Sequence, residues 1–154
     1  MHNNTKIMKA EEVASYKFNH AIPIQIRYND IDLSGHVNNG VFHEYFDLGR
    51  THYFEDVLGE NALTKKTHVI IVQVNTTYVK EIFFGDAIQL VSKVIRFGTK
   101  SFTVLQAILR ESDNGMEICA FAVTTFVCIN YTTQATHAIP KEWVANITEF
   151  ENQK

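Results

Sequence analysis

Residues 29–39 read N-D-I-D-L-S-G-H-V-N-N and lie between two different hydrophobic periodicities. Before them, over residues 22–28, isoleucine or tyrosine occupies every second position, which is typical of a strand. After them, large apolar residues recur at steps of three and four, which predicts an amphipathic helix over residues 39–58. A helix of that length is about 30 Å long, so its apolar stripe needs a partner as large as a β-sheet.

The second half of the chain has the composition of β-strands. Four segments rich in Val, Ile, Thr and Phe are separated by turn signals and lie at residues 68–79, 87–97, 102–110 and 116–130. We expect these consecutive strands to form an antiparallel meander, and a short helix to follow at residues 140–150. The element order predicts an α+β hot-dog fold, in which one curved antiparallel sheet wraps around a long central helix. A plain α+β sandwich with the same order is the alternative.

Length and composition limit the classes of protein to consider. The 154 residues predict one domain over residues 1–154, with a loose N-terminal arm at residues 1–19, where large apolar groups are few. A net charge of -3 gives no general attraction to nucleic acid or to an anionic membrane. No apolar run could span a bilayer, and no signal peptide is visible. With Cys119 and Cys128 as small core residues, these features predict a cytoplasmic protein.

Three familiar kinds of site fit the 29–39 motif poorly. A calcium loop that starts at Asp30 would need a glutamate at its twelfth position, where the chain has Val41. A Ser-His-Asp triad would place all three groups in one short turn, where they seldom align. The histidines lack the spacing of a zinc site, so no metal is expected.

The remaining chemical interpretation combines one carboxylate with one helix N-terminus. Asp32 lies in the loop before the predicted helix, and the first helical N–H groups, at Asn39 and Gly40, have no partner within the helix. Those groups would hold the oxygen of a thioester carbonyl while Asp32 attacks the carbonyl or activates a water. Asp, Ser and Asn are also ordinary turn and capping residues, so a purely structural role stays open.

The stretch R-Y-N-D-I-D-L-S-G-H-V-N-N-G-V-F at residues 27–42 resembles the signature of the hot-dog acyl thioesterases. These are the hydroxybenzoyl-CoA thioesterase-like and acyl-ACP thioesterase-like families. Residues 78–86, Y-V-K-E-I-F-F-G-D, resemble a weaker landmark of the same families, and the resemblance covers residues 22–140. It implies that the second acid of D-x-D, Asp32, is the nucleophile or general base, and that a backbone amide near Asn39 is the oxyanion donor.

The resemblance implies further roles and partners. His36 and Asn38 match its H-V-N-N part and would orient water or the carboxylate, or brace the loop. The substrate would be an acyl-CoA or acyl-ACP thioester, no cofactor would be needed, and the site would form between subunits of a homodimer or homotetramer. Basic residues at strand ends are candidates for contacts to CoA phosphates, namely Lys80, Arg96 and Lys100.

The chain departs from the family pattern on its long helix. Where family members often carry E-x-A-R, this sequence has Asp47-Leu48-Gly49-Arg50. We interpret Asp47 and Arg50 as an ion pair on the helix surface, not as catalytic residues. Asp30, the first acid of D-x-D, is expected to tie the turn together.

Two other functions remain open at this stage. A non-catalytic acyl-CoA-binding protein of the same fold would bind its ligand without releasing thiol. A regulator of that kind usually carries a DNA-binding helix pair, for which the N-terminal segment is too short. A hot-dog enoyl-CoA hydratase would carry Asn-Pro between its Asp and His, and this chain has no Asn-Pro. The residues decide neither the acyl chain length nor the carrier.

Overall fold

The computed structural model describes residues 7–154, in which one curved sheet wraps around one long helix. The elements are α1 (Ala10–Ala14), β1 (His20–Ile24), α2 (Asn39–Leu58), β2 (His68–Tyr78), β3 (Ile88–Phe97), β4 (Ser101–Ser112), β5 (Gly115–Asn130), β6 (Ala135–Thr136) and α3 (Lys141–Glu151). The predicted hot-dog fold is confirmed, and helix α2 has the bounds that its periodicity predicts.

Helix α2 begins and ends at signals that the sequence contains. At its start, the Asn38 side chain accepts a hydrogen bond from the Gly40 N–H at 2.8 Å, which is an N-cap. At its end, Gly59 has a φ of 96°, a conformation that favours glycine, and its N–H donates to the Glu55 carbonyl. The buried stripe of the helix faces the sheet and contains Phe42, Tyr45, Phe46, Gly49, Arg50, Tyr53 and Phe54.

The strands are antiparallel, and their order across the sheet is β1-β3-β4-β5-β2, with β6 paired to β5. The expected meander is therefore correct for β3, β4 and β5 and wrong for β2. Strand β2 pairs with β5, and residues 79–87 cross three strand spacings, about 14 Å, to reach β3. Because β5 occupies one side of β2, the other side of β2 is an open edge of the sheet.

The first strand is shorter than its alternating pattern suggests. The prediction of a strand over residues 22–28 is wrong at both ends, since β1 spans His20–Ile24 and pairs with β3. Residues Tyr28–Asp30 form a 3-10 turn, because the Asp30 N–H donates to the Arg27 carbonyl at 3.0 Å. The chain thus leaves the sheet before the 29–39 motif begins.

The N-terminal segment covers the outer face of the sheet, the face that points away from α2. Val13 of helix α1 is completely buried, and it belongs to a cluster with Val91, Leu105, Ala107 and Phe121. The expectation of a loose arm is therefore wrong for residues 7–19, because their few apolar side chains are spaced to pack on the sheet. Residues 1–6 of that predicted arm lie outside the described residues.

Helix α3 covers the part of the core around Tyr53 and Phe54, near the end of α2. Its last residue, Glu151, accepts hydrogen bonds from the Tyr53 hydroxyl at 2.5 Å and from Lys93 Nζ at 2.8 Å. Helix α3 is thereby held against both α2 and the sheet, near residues 140–150 as predicted. Within the part of the chain that the structure describes, no helix is long and apolar enough to cross a membrane.

Both cysteines of strand β5 are buried and free. Burial raises the pKa of the Cys119 thiol, and it raises the pKa of the Cys128 thiol to about 11. Both side chains therefore stay in the thiol form at neutral pH and act as core residues.

Gly49 is the point of closest approach between α2 and the sheet. A Cβ built at Gly49 would overlap the Leu90 side chain and would lie 2.9 Å from Gln106 Nε2. Both neighbours are fully buried. Gln106 Nε2 also donates to the Phe46 carbonyl at 3.1 Å, so the sheet is bonded to the helix backbone at this level. A side chain at position 49 would push the helix away from the sheet.

We therefore expect Gly49→Ala to lower the free energy of unfolding by about 1–3 kcal/mol, despite the better helix propensity of alanine. Chemical denaturation measures the loss. The double variant Gly49→Ala/Leu90→Ala is the control, because removing the Leu90 methyl groups makes room for the new Cβ. If the two single losses simply add in the double variant, the overlap with Leu90 is not the cause.

Candidate active site

The loop between β1 and α2 is folded by its own backbone hydrogen bonds. The Asp32 N–H donates to the His36 carbonyl at 3.2 Å, and the Gly35 N–H donates to the Asp32 carbonyl at 3.0 Å. Gly35 has a φ of 83°, which favours glycine at this turn. Ile31 and Val37 form an isolated bridge that closes the turn. The loop thus holds Asp32 and His36 together at the entry to α2.

Asp30 fastens this loop to the helix and is only 1% exposed. Its carboxylate accepts hydrogen bonds from the Tyr45 hydroxyl at 2.5 Å and from the N–H and Nε–H of Arg27 at 2.9 and 3.0 Å. Burial raises the pKa of Asp30, but the hydrogen bonds from Tyr45 and Arg27 outweigh burial and hold that pKa below its ordinary value. The Asp30 carbonyl accepts a bond from the Asn38 N–H at 2.9 Å. Asp30 therefore ties the turn, as expected.

Asp32 is oriented by amide groups of its own loop. Its Oδ1 accepts a hydrogen bond from the Ser34 N–H at 2.8 Å, and its Oδ2 accepts one from Asn38 Nδ2 at 3.2 Å. Among residues 7–154, no lysine, arginine or histidine forms an ion pair with Asp32. The carboxylate is thus fixed in direction by neutral donors.

The start of α2 offers one free amide. The Gly40 N–H donates to Asn38 Oδ1, so the expectation that Gly40 is a second oxyanion donor is wrong. The Asn39 N–H donates to no group among residues 7–154 and lies at the positive end of the helix dipole. The Asn38 carboxamide therefore accepts from the Gly40 N–H with its oxygen and donates to the Asp32 carboxylate with its nitrogen. The Asn39 N–H is left without a partner among residues 7–154.

Asp32 and Asn39 line the same open cavity of about 320 Å³, between the start of α2 and the end of β2. His36 also lines this cavity, and its ring makes an edge contact with Phe83. The structure thus brings Asp32, His36 and Asn39 together. The complete lining is Asp32, His36, Val37, Asn39, Phe42, Tyr78, Val79, Lys80 and Glu81.

Tyr78 is a site residue that sequence reasoning missed. Its hydroxyl donates to the Asn39 carbonyl at 3.1 Å and lies 3.3 Å from His43 Nε2, and its ring packs edge-on against Phe42. Tyr78 thus joins the end of β2 to the start of α2. The sequence contained a signal for Tyr78, which is the first residue of the 78–86 stretch that resembles a family landmark. Its place at the site depends on the fold, which brings the end of β2 beside Asn39.

Lys80 lies at the cavity, as predicted, but its charge is already engaged. Its Nζ forms an ion pair with Glu117, which also binds Arg110. The hydrogen bonds from Lys80 and Arg110 hold the pKa of Glu117 below its ordinary value. Lys80 is therefore part of an ion-pair network on the cavity wall.

Arg96 and Lys100 were predicted to contact the substrate, but neither residue lines the Asp32 cavity of its own subunit. Lys100 lies in the turn between β3 and β4 and donates to Thr136 at 3.3 Å, while Arg96 donates to Thr103 at 3.5 Å. Tyr78, at the cavity, pairs with Ala120 near the other end of β4 and β5. Arg96 and Lys100 thus lie at the end of the sheet opposite to the cavity of their own subunit.

Asp47 and Arg50 form the ion pair that their spacing predicts. The pair differs from a surface bridge because Arg50 is buried, with its Nη1 donating to Gln106 at 3.0 Å and its guanidinium over the Phe126 ring. Burial lowers the pKa of Arg50 to about 10. Among residues 7–154, no group of three or more His, Cys, Asp or Glu side chains is arranged to hold a metal ion.

Comparison with known proteins identifies the family. A sequence profile described as the thioesterase-like superfamily matches residues 26–147. The chain belongs to this superfamily. The long-chain acyl-CoA thioesterase FadM of Escherichia coli K12 is 27% identical over 120 residues, which cover 77% of this chain and 89% of FadM.

Solved structures share the fold. A thioesterase from Thermus thermophilus, crystallised with coenzyme A and zinc, is 23% identical and has a TM-score of 0.77, with 89% of this chain and 97% of that chain covered. A thioesterase superfamily protein from Jannaschia sp. CCS1 is 21% identical and has a TM-score of 0.78, with 94% and 92% covered. At these identities, the likeness concerns the fold.

Within this superfamily fold, Asn38 is placed to support both the helix and the carboxylate. We expect Asn38→Ala to destabilise the protein by about 1 kcal/mol through the lost cap. We also expect it to reduce thioester turnover roughly ten- to a hundredfold, because Asp32 loses an orienting donor. Thermal denaturation and initial rates measure the two effects.

The variant Asn38→Asp separates these two roles of Asn38. A carboxylate at position 38 caps the helix, so Asn38→Asp should be more stable than Asn38→Ala. The same carboxylate has no N–H to donate and repels Asp32, so turnover should stay low. If Asn38→Asp turns over thioesters like the wild type, the bond from Asn38 to Asp32 is not needed.

Proposed function

We propose that this protein hydrolyses acyl-CoA thioesters to a free acid and CoA. The observation that carries the proposal is that Asp32, whose carboxylate is fixed, and Asn39, whose helix N-terminal N–H is free, line one cavity. The two groups match what thioester hydrolysis requires, a base or nucleophile and a donor for the oxyanion. Similarity to FadM, named as a long-chain acyl-CoA thioesterase, supports an acyl-CoA substrate.

The Asn39 N–H is proposed to hold the carbonyl oxygen of the substrate. As the carbonyl carbon becomes tetrahedral, its oxygen gains negative charge, and the positive end of the α2 dipole stabilises that charge. Asn39 is well suited because its N–H has no competing partner within the described chain, and because the carbonyl of the same peptide group, at Asn38, accepts a hydrogen bond from the Val41 N–H at 2.9 Å. The amide is thus oriented before the substrate arrives.

Asp32 then acts in one of two ways. As a general base, it takes a proton from a water whose oxygen attacks the carbonyl carbon, and it returns that proton to the thiolate when the C–S bond breaks. As a nucleophile, it forms an anhydride and releases the thiolate, and water then hydrolyses the anhydride. In either case Asn38 orients the carboxylate, and His36 lies where it can contact the attacking water or the thiol.

The test is a screen for thiol release by the wild-type protein. Acetyl-, octanoyl-, palmitoyl- and benzoyl-CoA are supplied, and free CoA is measured with a chromogenic thiol reagent. We expect release from at least one acyl-CoA. Binding of acyl-CoA without release of thiol from any of them would support a non-catalytic binding protein. A separate assay with an enoyl-CoA tests the hydratase alternative, which hydration of that substrate would support. The same acyl groups on acyl carrier protein determine the preferred carrier.

The open edge of β2 leads us to propose a homodimer. Most of β2 is exposed, including the large apolar residues Ile71, Val72 and Val74. An unpaired apolar edge strand tends to pair with another strand, and pairing with its own copy gives a closed two-fold assembly. Measuring the mass of the protein in solution distinguishes this dimer from a tetramer.

We also propose a cytoplasmic location, in line with the two free cysteines.

A further inference from the structure

The crossover between β2 and β3, residues 79–87, contains a tight turn close to the Asp32 loop. The Asp86 N–H donates to the Phe83 carbonyl at 3.1 Å, and Gly85, the third residue of the turn, has the positive φ, 95°, that a type II turn requires. The Asp86 carboxylate folds back over the turn, and its Oδ2 accepts from the Phe83 N–H at 2.9 Å. The sequence F-F-G-D thus fixes the peptide group that precedes Phe83.

The other side of that peptide group is bonded to the Asp32 loop. Its carbonyl, at Ile82, accepts from the Val37 N–H at 2.8 Å. The Val37 N–H belongs to a second peptide group, whose carbonyl, at His36, accepts from the Asp32 N–H at 3.2 Å. Because a peptide group is planar, fixing one side of it fixes the direction of the other. Two peptide groups thus connect the crossover turn to the backbone of Asp32.

Arg110 of strand β4 ties the crossover turn to the sheet. Its Nη1 donates to Asp86 Oδ2 at 3.1 Å and to the Glu81 carbonyl at 2.7 Å. Its Nε and Nη2 donate to Glu117 of strand β5 at 2.9 and 2.6 Å. The Arg110 side chain is only 17% exposed, so water and salt screen these interactions little. The planar fork of an arginine is suited to holding several acceptors in fixed positions.

We propose that Arg110 and Asp86 are positioning residues for thioester hydrolysis, which act by holding the backbone of Asp32 in place. The inference rests on the proposed function. Neither side chain lines the cavity, so both act through one hydrogen-bond chain, which runs from Arg110 through Asp86, Ile82 and Val37 to Asp32. Asn38 orients the Asp32 carboxylate from the helix, whereas this chain places its backbone from the sheet. A displacement of about 1 Å at a reacting group costs up to about a hundredfold in rate.

Two substitutions at Asp86 separate its charge from its acceptor oxygen. Asp86→Asn and Asp86→Leu both remove the charge, but only the carboxamide keeps an oxygen that can accept from the Phe83 N–H. We expect Asp86→Leu to lower kcat roughly ten- to a hundredfold, and Asp86→Asn to stay within about threefold of the wild type. Thiol release from the best acyl-CoA is measured at a temperature where circular dichroism shows both variants folded. Equal kcat values for the two variants would overturn the proposal.

Amide hydrogen exchange tests the hydrogen-bond chain without reference to activity. We expect the Val37 and Asp32 N–H groups to exchange at least about tenfold faster in Asp86→Leu than in Asp86→Asn, because only the leucine variant breaks the chain. The Leu105 N–H, in the middle of β4, is the internal reference and reports global unfolding. If the acceleration at Val37 and Asp32 is no larger than the acceleration at Leu105, Asp86 is merely structural and the proposal is wrong.

Arg110→Met is the second variant and is used in both measurements if Asp86→Leu is poorly folded. We expect it to lower kcat roughly three- to tenfold, because Asp86 still bonds to the Phe83 N–H but is no longer tied to the sheet. Lys93→Met is the matched control. The Lys93 side chain is also 17% exposed and forms an ion pair with Glu151 of helix α3, so the control removes an equally buried pair elsewhere. An equal fall of kcat in both variants would count against the hydrogen-bond chain.

Failure of this inference can be told apart from failure of the proposed function. If the wild type releases thiol but Asp86→Leu and Asp86→Asn behave alike, only the positioning role is lost. If the wild type releases no thiol from any acyl-CoA, the proposed function fails and the positioning role in hydrolysis fails with it. The exchange rates then still show whether Asp86 holds the Asp32 loop.

Discussion

Asp32→Asn should lower thioester turnover by roughly 10²–10⁴-fold and leave the fold intact. The carboxamide keeps the size of the carboxylate and can still accept from the Ser34 N–H. It cannot take a proton from water or form an anhydride. The measurement is the initial rate of thiol release from the best acyl-CoA, together with a thermal denaturation curve for each protein.

The matched control for this substitution is Asp113→Asn. Asp113 lies exposed in the β4–β5 turn and does not line the Asp32 cavity, so the control removes the same charge without touching the site. Its turnover should equal that of the wild type. Full activity of Asp32→Asn on every acyl-CoA that the wild type cleaves would remove Asp32 from the mechanism and, with it, the chemical role of the cavity.

Asp30→Ala should be the most destabilising substitution in the loop, by about 3 kcal/mol. The Tyr45 hydroxyl is buried and would lose its acceptor, and Arg27 would lose its partner on the loop. The Arg27 side chain is 60% exposed, so water replaces much of its lost interaction, and most of the cost comes from Tyr45. Urea denaturation at neutral pH measures the loss.

The loss of stability caused by Asp30→Ala should decrease as the pH falls. Because the folded-state pKa of Asp30 lies below the ordinary value, its carboxylate contributes stability that is complete above the unfolded-state pKa. That contribution is lost as the pH falls below the ordinary range of an aspartate and through the lowered pKa. The difference in stability between wild type and Asp30→Ala should therefore shrink in acid. A difference that is constant from neutral pH to acid would show that the Asp30 charge is not responsible.

Local patterns predicted the parts of the fold that depend on neighbouring residues. Helix α2 has its predicted bounds because a cap at Asn38, a stripe at helical spacing and Gly59 all act within a few residues. The contact between Asp32 and Asn38 was predictable for the same reason, since the two residues are close in sequence and meet in space. The ion pair of Asp47 and Arg50 is likewise a contact within one helical turn.

Errors arose where distant segments compete for the same partner. The pairing of β2 with β5 instead of β3 depends on how the whole sheet closes around α2. The positions of Arg96 and Lys100 follow from strand direction across that sheet, which composition does not encode. Gly40 was assigned as a donor because helix N-terminal amides are free in general, whereas here the Asn38 side chain takes one of them.

The short N-terminal helix has a practical consequence for shortened versions of this protein. The superfamily match begins at residue 26, so a chain trimmed to that match lacks Val13 and the segment around it. Leu105, Phe121 and their neighbours would then be exposed to water as one hydrophobic patch, and exposed hydrophobic patches of several hundred Å² promote aggregation. Expression of such a fragment should give insoluble material, although every residue of the Asp32 cavity is still encoded.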